Sequence, residues 1–177
     1  TDRSRGLGDV YKRQDPDEVV EFEDSKFQAL TLYYDKNNDG KLQAWEAALV
    51  TELELSGQSI KSLQGIEYFT ELESLNCTSN LLTSLDVTNN RKLRALWCKS
   101  NQIVSLDVTP LRDLQILNCE SNRLTSLDVS QNTELVHLLC GMNNGAMTDD
   151  DGITKIDVSN NPKLETLSVY YLNLSEL

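Results

Sequence analysis

Thr70–Asn90 reads TELESLNCTSNLLTSLDVTNN, Arg91–Leu111 reads RKLRALWCKSNQIVSLDVTPL, and Arg112–Asn132 reads RDLQILNCESNRLTSLDVSQN. Three consecutive 21-residue segments that carry the same side chains at the same places are repeats, and self-similarity at this period marks a solenoid. Outward from this block, Thr133–Asn161 is the same unit with eight extra residues, and Ala48–Phe69 is a degenerate first unit of 22 residues. Pro162–Leu177 is an incomplete last unit.

A single coil of this length cannot bury its apolar face alone, so neighbouring coils must stack. Stacking turns each repeat position into a column. Leu75, Leu96, Leu117 and Leu138 form one buried column, and Leu82, Ile103 and Leu124 another. Leu85, Leu106, Leu127 and Ile156 form a third, and Val87, Val108, Val129 and Val158 a fourth. Asn80, Asn101, Asn122 and Asn143 form a polar ladder, for which the expected role is to pair backbone groups otherwise left buried without partners. Alternation in Leu75-Asn76-Cys77 marks a strand, and Leu85-Asp86-Val87 alternates in the same way half a unit later. The expectation is a parallel sheet on one side of the coil and short extended segments, or a second narrow sheet, on the other. No helical period occurs between Asn80 and Ser168.

The pattern LxxLxCxxNxLxSLDVxxN resembles the 21-residue leucine-rich repeats of bacterial surface and secreted proteins, internalin-like in broad terms and of a type frequent in Bacteroidetes. The resemblance covers residues 48–177. It implies a mostly β leucine-rich-repeat solenoid, an α/β-type superhelix with a small N-terminal helical cap. It also implies an extracellular or cell-surface setting. Such repeats are scaffolds, so function depends on what their surface displays.

Cys77, Cys98, Cys119 and Cys140 are spaced by 21 residues and so occupy one repeat position, filled by Leu55 and Val169 in the outer units. The position takes a small apolar group facing the core, as free cysteine does. Strands stack ~4.8 Å apart, beyond the ~3.8 Å Cβ separation that a disulfide prefers. Four sulfurs in a line also make no tetrahedron for zinc. A ladder of reduced, buried thiols is expected.

Upstream, Asp35-Lys36-Asn37-Asn38-Asp39-Gly40-Lys41-Leu42-Gln43-Ala44-Trp45-Glu46 resembles the twelve-residue EF-hand calcium loop. Asp35, Asn37 and Asp39 stand at positions 1, 3 and 5, and Gly40 at the turn. Lys41 offers its carbonyl at position 7, Gln43 acts through water at 9, and Glu46 is the bidentate ligand at 12. A ligand-free turn rich in Asx is the alternative. Asp24 or Ser25 caps a helix whose apolar face includes Phe27, Leu30 and Tyr34. Val19–Phe22 is read as a short extended segment and Ala44–Ala48 as a helical turn. Residues 15–47 are thus read as a cap over the first coil, with Trp45 as its plug. One loop with few methionines points to stabilisation by calcium rather than signalling.

Residues 1–14 lack apolar periodicity, and Ser4–Gln14, SRGLGDVYKRQ, resembles the in-frame translation of a sequencing-library adapter. They are read as a non-native, disordered tail, with the natural start lost and the far end cut within a repeat. Without that tail the charge is 12 basic minus 26 acidic residues, or −14, against −12 for the whole chain. Such a surface repels phosphate backbones, so nucleic acid is excluded as a partner. No apolar run approaches the ~20 residues of a membrane helix.

Outward strand positions should form one continuous surface, bringing Trp97, Ile116, His137, Leu139 and Tyr170 together as a partner-binding patch. The expected ligand is a protein or a glycan, and the expected state a monomer. The insertion within Met142–Gly152, with its run Asp149-Asp150-Asp151, is read as a solvated acidic loop. His137 is the single histidine, and no G-x-S-x-G, phosphate-cradling Gly loop or Cys–His pair occurs. A non-catalytic adhesion module is therefore expected, the alternative being a spacer or targeting region of a larger surface protein or enzyme.

Overall fold

A computed structural model describes residues 15–143 and 152–175. The tail 1–14 and the Asp149–Asp151 run lie outside them.

The repeats form one parallel sheet of six strands in chain order. These are β1 Glu52–Glu54, β2 Ser74–Asn76, β3 Ala95–Trp97, β4 Ile116–Asn118, β5 His137–Leu139 and β6 Thr166–Ser168. The register follows the repeat. Leu53 faces Leu75, then Leu96, Leu117, Leu138 and Leu167. The step from β5 to β6 pairs His137 with Thr166, so the longer unit leaves the register intact.

Each predicted column is buried. Leu75, Leu96, Leu117 and Leu138 are fully enclosed, as are Leu82, Ile103 and Leu124. The exception is the C-terminal end, where Val158 of the fifth unit and Leu164, Leu167 and Val169 of the last are only partly buried.

No second sheet lies opposite among the described residues; Leu85–Val87 and its equivalents there carry no strand pairing, and a turn follows each. Asp86 accepts hydrogen bonds from Thr88 N and Oγ1, Asp107 does the same for Thr109, and Asp128 and Asp157 accept from Ser130 N and Ser159 N. This local Asx chemistry satisfies the backbone in place of a ladder of strands.

The asparagine ladder is the polar spine of the coil. Asn101 Nδ2 donates to Cys77 O in the coil before it and to Cys98 O in its own, both at 3.0 Å, while its Oδ1 accepts Leu82 N at 3.0 Å. Asn80, Asn122 and Asn143 repeat the arrangement. The residue before each ladder asparagine adopts φ near +55°: Ser79, Ser100, Ser121 and Met142. A second ladder, unforeseen in the sequence reading, runs through Asn90, Asn132 and Asn161, each donating twice to carbonyls of the preceding coil.

The cap is a helix, a loop and a turn. Asp24 caps α1 (Ser25–Thr31) by accepting from Lys26 N and Phe27 N. Its other oxygen accepts Lys61 N, so one carboxylate both starts the helix and fastens it to the first coil. The buried stripe of α1 is Phe27 and Thr31, spaced i,i+4. Leu30 falls off that stripe and is 36% exposed, contrary to expectation. Trp45 is not the plug either. In α2 (Ala44–Ala47) the buried positions are Ala44, Glu46 and Ala47, and Trp45 is half-exposed. The first coil is closed instead by Phe27, which meets Phe22 edge-to-face at 5.1 Å and lies tilted against Phe69 at 6.1 Å. The expected extended segment appears as a single antiparallel bridge between Val19 and Gln43. Among the described residues no helix is long and apolar enough to cross a membrane.

Replacing Asn101 by Ala leaves Leu82 N without an acceptor and takes one of two donors from Cys77 O and from Cys98 O, which keep Asn80 and Asn122. Urea unfolding should show a loss of about 1–3 kcal/mol. A loss below about 0.5 kcal/mol, the range of surface substitutions, would mean that water or local rearrangement replaces the side chain.

Candidate binding face and cap loop

Alternate strand residues point away from the core and form two rows. One is Glu52, Ser74, Ala95, Ile116, His137 and Thr166; the other is Glu54, Asn76, Trp97, Asn118, Leu139 and Ser168. The middle strands show a half-exposed, buried, half-exposed pattern, so these side chains are accessible without being fully solvated. Ile116 lies directly beside His137, and Trp97 and Leu139 flank Asn118 in the second row. Four of the five predicted contact residues therefore share one patch.

Tyr170 sits one step further out. Its ring packs over Gly141, where a Cβ would stand 2.7 Å from the Tyr170 carbonyl and 2.8 Å from its Cδ1. The missing side chain lets the last coil close on β5. Beside it, Glu120 is 3% exposed although it occupies an outward repeat position. Its Oε2 takes Lys99 Nζ at 2.9 Å and its Oε1 takes Ser168 Oγ at 3.1 Å. The hydrogen bond and the charge of Glu120 push the Lys99 ammonium above its ordinary pKa. This clasp ties the segments that follow β3 and β4 to β6, and no repeat position predicts it.

In the cap loop, Gly40 has φ +81° and its N–H donates to Asp35 Oδ2 at 2.8 Å. Asp39 N donates to Asn37 Oδ1, and Lys41 N donates to Asp39 Oδ1. The chain therefore wraps around Asp35, Asn37 and Asp39. Glu46 is fully buried; its Oε1 accepts Lys36 N and Asn37 N, and its Oε2 accepts Gln43 N. Asp39 Oδ2 receives the amide hydrogens of Asn37 and Gln43 at 3.3 and 2.6 Å. Asp35 Oδ1 is buried with no hydrogen-bond partner. Lys41 is exposed, and its side chain takes no part. Among the described residues, no three His, Cys, Asp or Glu side chains gather closely enough to form a metal-binding group. Two of the five side chains in the loop's donor set, Asn37 and Gln43, are amides, and its only uncommitted buried oxygen is Asp35 Oδ1.

The four cysteines are unpaired and buried. Burial pushes the thiols of Cys77 and Cys140 up to about 12 and holds those of Cys98 and Cys119 well above the ordinary range. They are neutral packing groups.

In-register strands, an inner asparagine ladder and a ladder of buried thiols define a leucine-rich-repeat solenoid, and this chain is a leucine-rich-repeat protein. Its sequence matches no family model and no curated protein. Among solved structures its neighbours include internalins. The functional domain of InlJ from Listeria monocytogenes, itself described as including a cysteine ladder, is 36% identical with a TM-score of 0.79. That match covers 90% of this chain and 35% of the InlJ chain. The internalin InlF from the same species is 24% identical with a TM-score of 0.72, covering 92% of this chain and 47% of the other. The plant peptide hormone receptor RGFR1, solved in complex with RGF2, shares the fold at 21% identity and a TM-score of 0.59, over 76% of this chain and 22% of the receptor. The chain thus spans between about a third and a half of the two internalin chains.

The thiols carry a pH signature. An unfolded cysteine titrates near 8.5, whereas folded Cys77 stays protonated up to about 12. The folded state holds more protons between those values, so this contribution is complete below pH ~8.5 and is lost as pH rises toward 12. Cys77→Ala should shrink the loss of unfolding free energy between pH 8 and 10.5 by about 2–3 kcal/mol. An unchanged slope would show that the thiol ionises in the folded chain.

Proposed function

We propose that the chain is a non-catalytic protein-binding or adhesion module, displayed extracellularly or at a cell surface, that takes a protein or glycan on its outward sheet face. The observation that carries this reading is the juxtaposition of Trp97, Ile116, His137 and Leu139 on adjacent strands of a rigid sheet. An aromatic and aliphatic cluster with a polar surround is the composition of an interface centre. The solved neighbours support it: one is a plant peptide hormone receptor in complex with RGF2, and others are internalins. A spacer or targeting segment would make no demand on these side chains.

We further propose that the cap loop holds a structural calcium ion through Asp35, Asn37, Asp39, Glu46, the Lys41 carbonyl and Gln43. The buried, unpartnered Asp35 Oδ1 supports this, because an uncompensated carboxylate oxygen is costly and a hard cation relieves it. Binding requires the Asn37 and Gln43 amides to present oxygen where they now present N–H to Asp39. Glu46 already closes the loop through backbone N–H groups, so the ion would strengthen a folded cap rather than create it.

Two measurements test these readings. Calorimetric titration of chelator-treated protein should show one calcium site with a Kd of roughly 10⁻⁴–10⁻³ M, together with a higher Tm, and Asp35→Asn should abolish both. No heat and no Tm change would leave the loop a metal-free Asx turn. For the face, the full chain is screened against glycan and peptide arrays beside Trp97→Ala. A ligand whose Kd rises by about 30-fold in the variant supports the module; ligands bound equally by both proteins, or none at all, favour the spacer.

A further inference from the structure

The face is not uniform along the solenoid axis. Its N-terminal end carries Glu52 and Glu54, both exposed, on β1. Ser74 and Asn76 follow on β2, then Ala95 and Trp97, then Ile116 and Asn118, then His137 and Leu139. With strands ~4.8 Å apart, Trp97 lies ~10 Å and Leu139 ~19 Å from Glu54 along one row. Ser74 and Ala95 are small and leave the strip between Glu52 and Ile116 low.

Charge is divided the same way. Lys99, the cation on this face, is neutralised by buried Glu120. Glu54 is oriented rather than neutralised: its Oε1 accepts Ser56 N at 3.1 Å and its Oε2 accepts Asn76 Nδ2 at 2.8 Å. Desolvation opposes its ionisation, but the hydrogen bonds from Ser56 and Asn76 outweigh it and hold its pKa below the ordinary value. The rows therefore run from a fixed negative end to an apolar, aromatic centre.

We propose that the face binds an extended protein segment lying across the strands, with arginine or lysine side chains at Glu52 and Glu54 and apolar side chains on Trp97, Ile116 and Leu139. This rests on the binding-module reading and adds the chemistry of the ligand. About six extended residues span the ~19 Å from β1 to β5. The apolar centre supplies affinity, and the carboxylates at the rim select the charge of the partner and its orientation. The chain's net charge of −12 reinforces that selection at a distance.

Three fluorescein-labelled decapeptides test this by anisotropy with the full chain. They share a Leu-Val-Tyr-Leu half and differ in carrying Arg-Gly-Arg, Ser-Gly-Ser or Glu-Gly-Glu in the other. The arginine peptide should bind about tenfold tighter than the serine peptide, and the glutamate peptide weakest. A Glu52→Gln, Glu54→Gln double variant, shown folded by circular dichroism, should bring the three together, as should 0.5 M NaCl. Trp97→Ala should weaken all three without changing their order. Equal binding of the three peptides, or a charge preference that survives the double variant, overturns the assigned chemistry. Absence of binding by every peptide overturns it too, and a Trp97-dependent glycan found in that case would leave the binding module standing with another class of ligand.

Discussion

Each turn after a strand encloses carbonyl oxygens that no backbone N–H can reach, because the chain there has left the sheet. Asn80, Asn101, Asn122 and Asn143 supply the missing donors, and their Oδ1 atoms take N–H groups of the preceding coil in return. Everything else in the solenoid depends on this exchange. An unpaired buried amide costs about as much as the burial of a core side chain returns, so a coil without it would open its turn to water. The interaction also passes from one coil to the next, which is why a local side chain can hold long-range register.

That register makes a functional surface from residues that are remote in sequence. Strands of three residues are too short to hold a sheet by their own hydrogen bonds. Stacked leucine and cysteine columns on the inner side and the asparagine ladder at the turn hold them instead. Trp97, Ile116 and Leu139 consequently meet at fixed separations although more than 40 residues lie between the first and the last. Preorganisation of this kind removes part of the entropy that association would otherwise cost. The cap contributes by fixing β1, the edge strand. Asp24 and Lys26 bond to the first coil, and Tyr34 Oη donates to the Glu52 carbonyl.

The repeat block was legible because its constraint is periodic. A column of identical side chains has one explanation, and it dictated the sheet, its order, the buried thiols and the first asparagine ladder. The second ladder was equally present in Asn90, Asn132 and Asn161, but Leu111 interrupts the series and the insertion displaces its last member. The cap was legible in its elements and not in its packing. Leu30 and Trp45 are apolar, yet a two-turn helix and a one-turn helix each bury only a narrow stripe, and Phe27 with Ala44 and Ala47 fills it. Nothing in the pattern distinguishes those stripes before the helix axes are known. Glu120 was hidden for a related reason. It is held by Ser168 two coils later, which is not near it in the chain.

Glu46 and Glu120 show how a strongly acidic chain uses buried charge. Each is a carboxylate removed from water, and each has both oxygens hydrogen-bonded: Glu46 by three backbone N–H groups, Glu120 by an ammonium and a hydroxyl. Full hydrogen bonding makes such burial tolerable and specifies one geometry. The consequences differ with the partners. Glu46 joins the two halves of the cap loop and leaves Asp35 Oδ1 as the oxygen without a donor, so the loop's remaining electrostatic demand falls at one point. Glu120 cancels Lys99 and thereby clears positive charge from the sheet face, so that its polarity is set by Glu52 and Glu54 at the opposite end. A partner approaching the apolar centre meets a directional field, and that field is created as much by the buried pair as by the two exposed carboxylates.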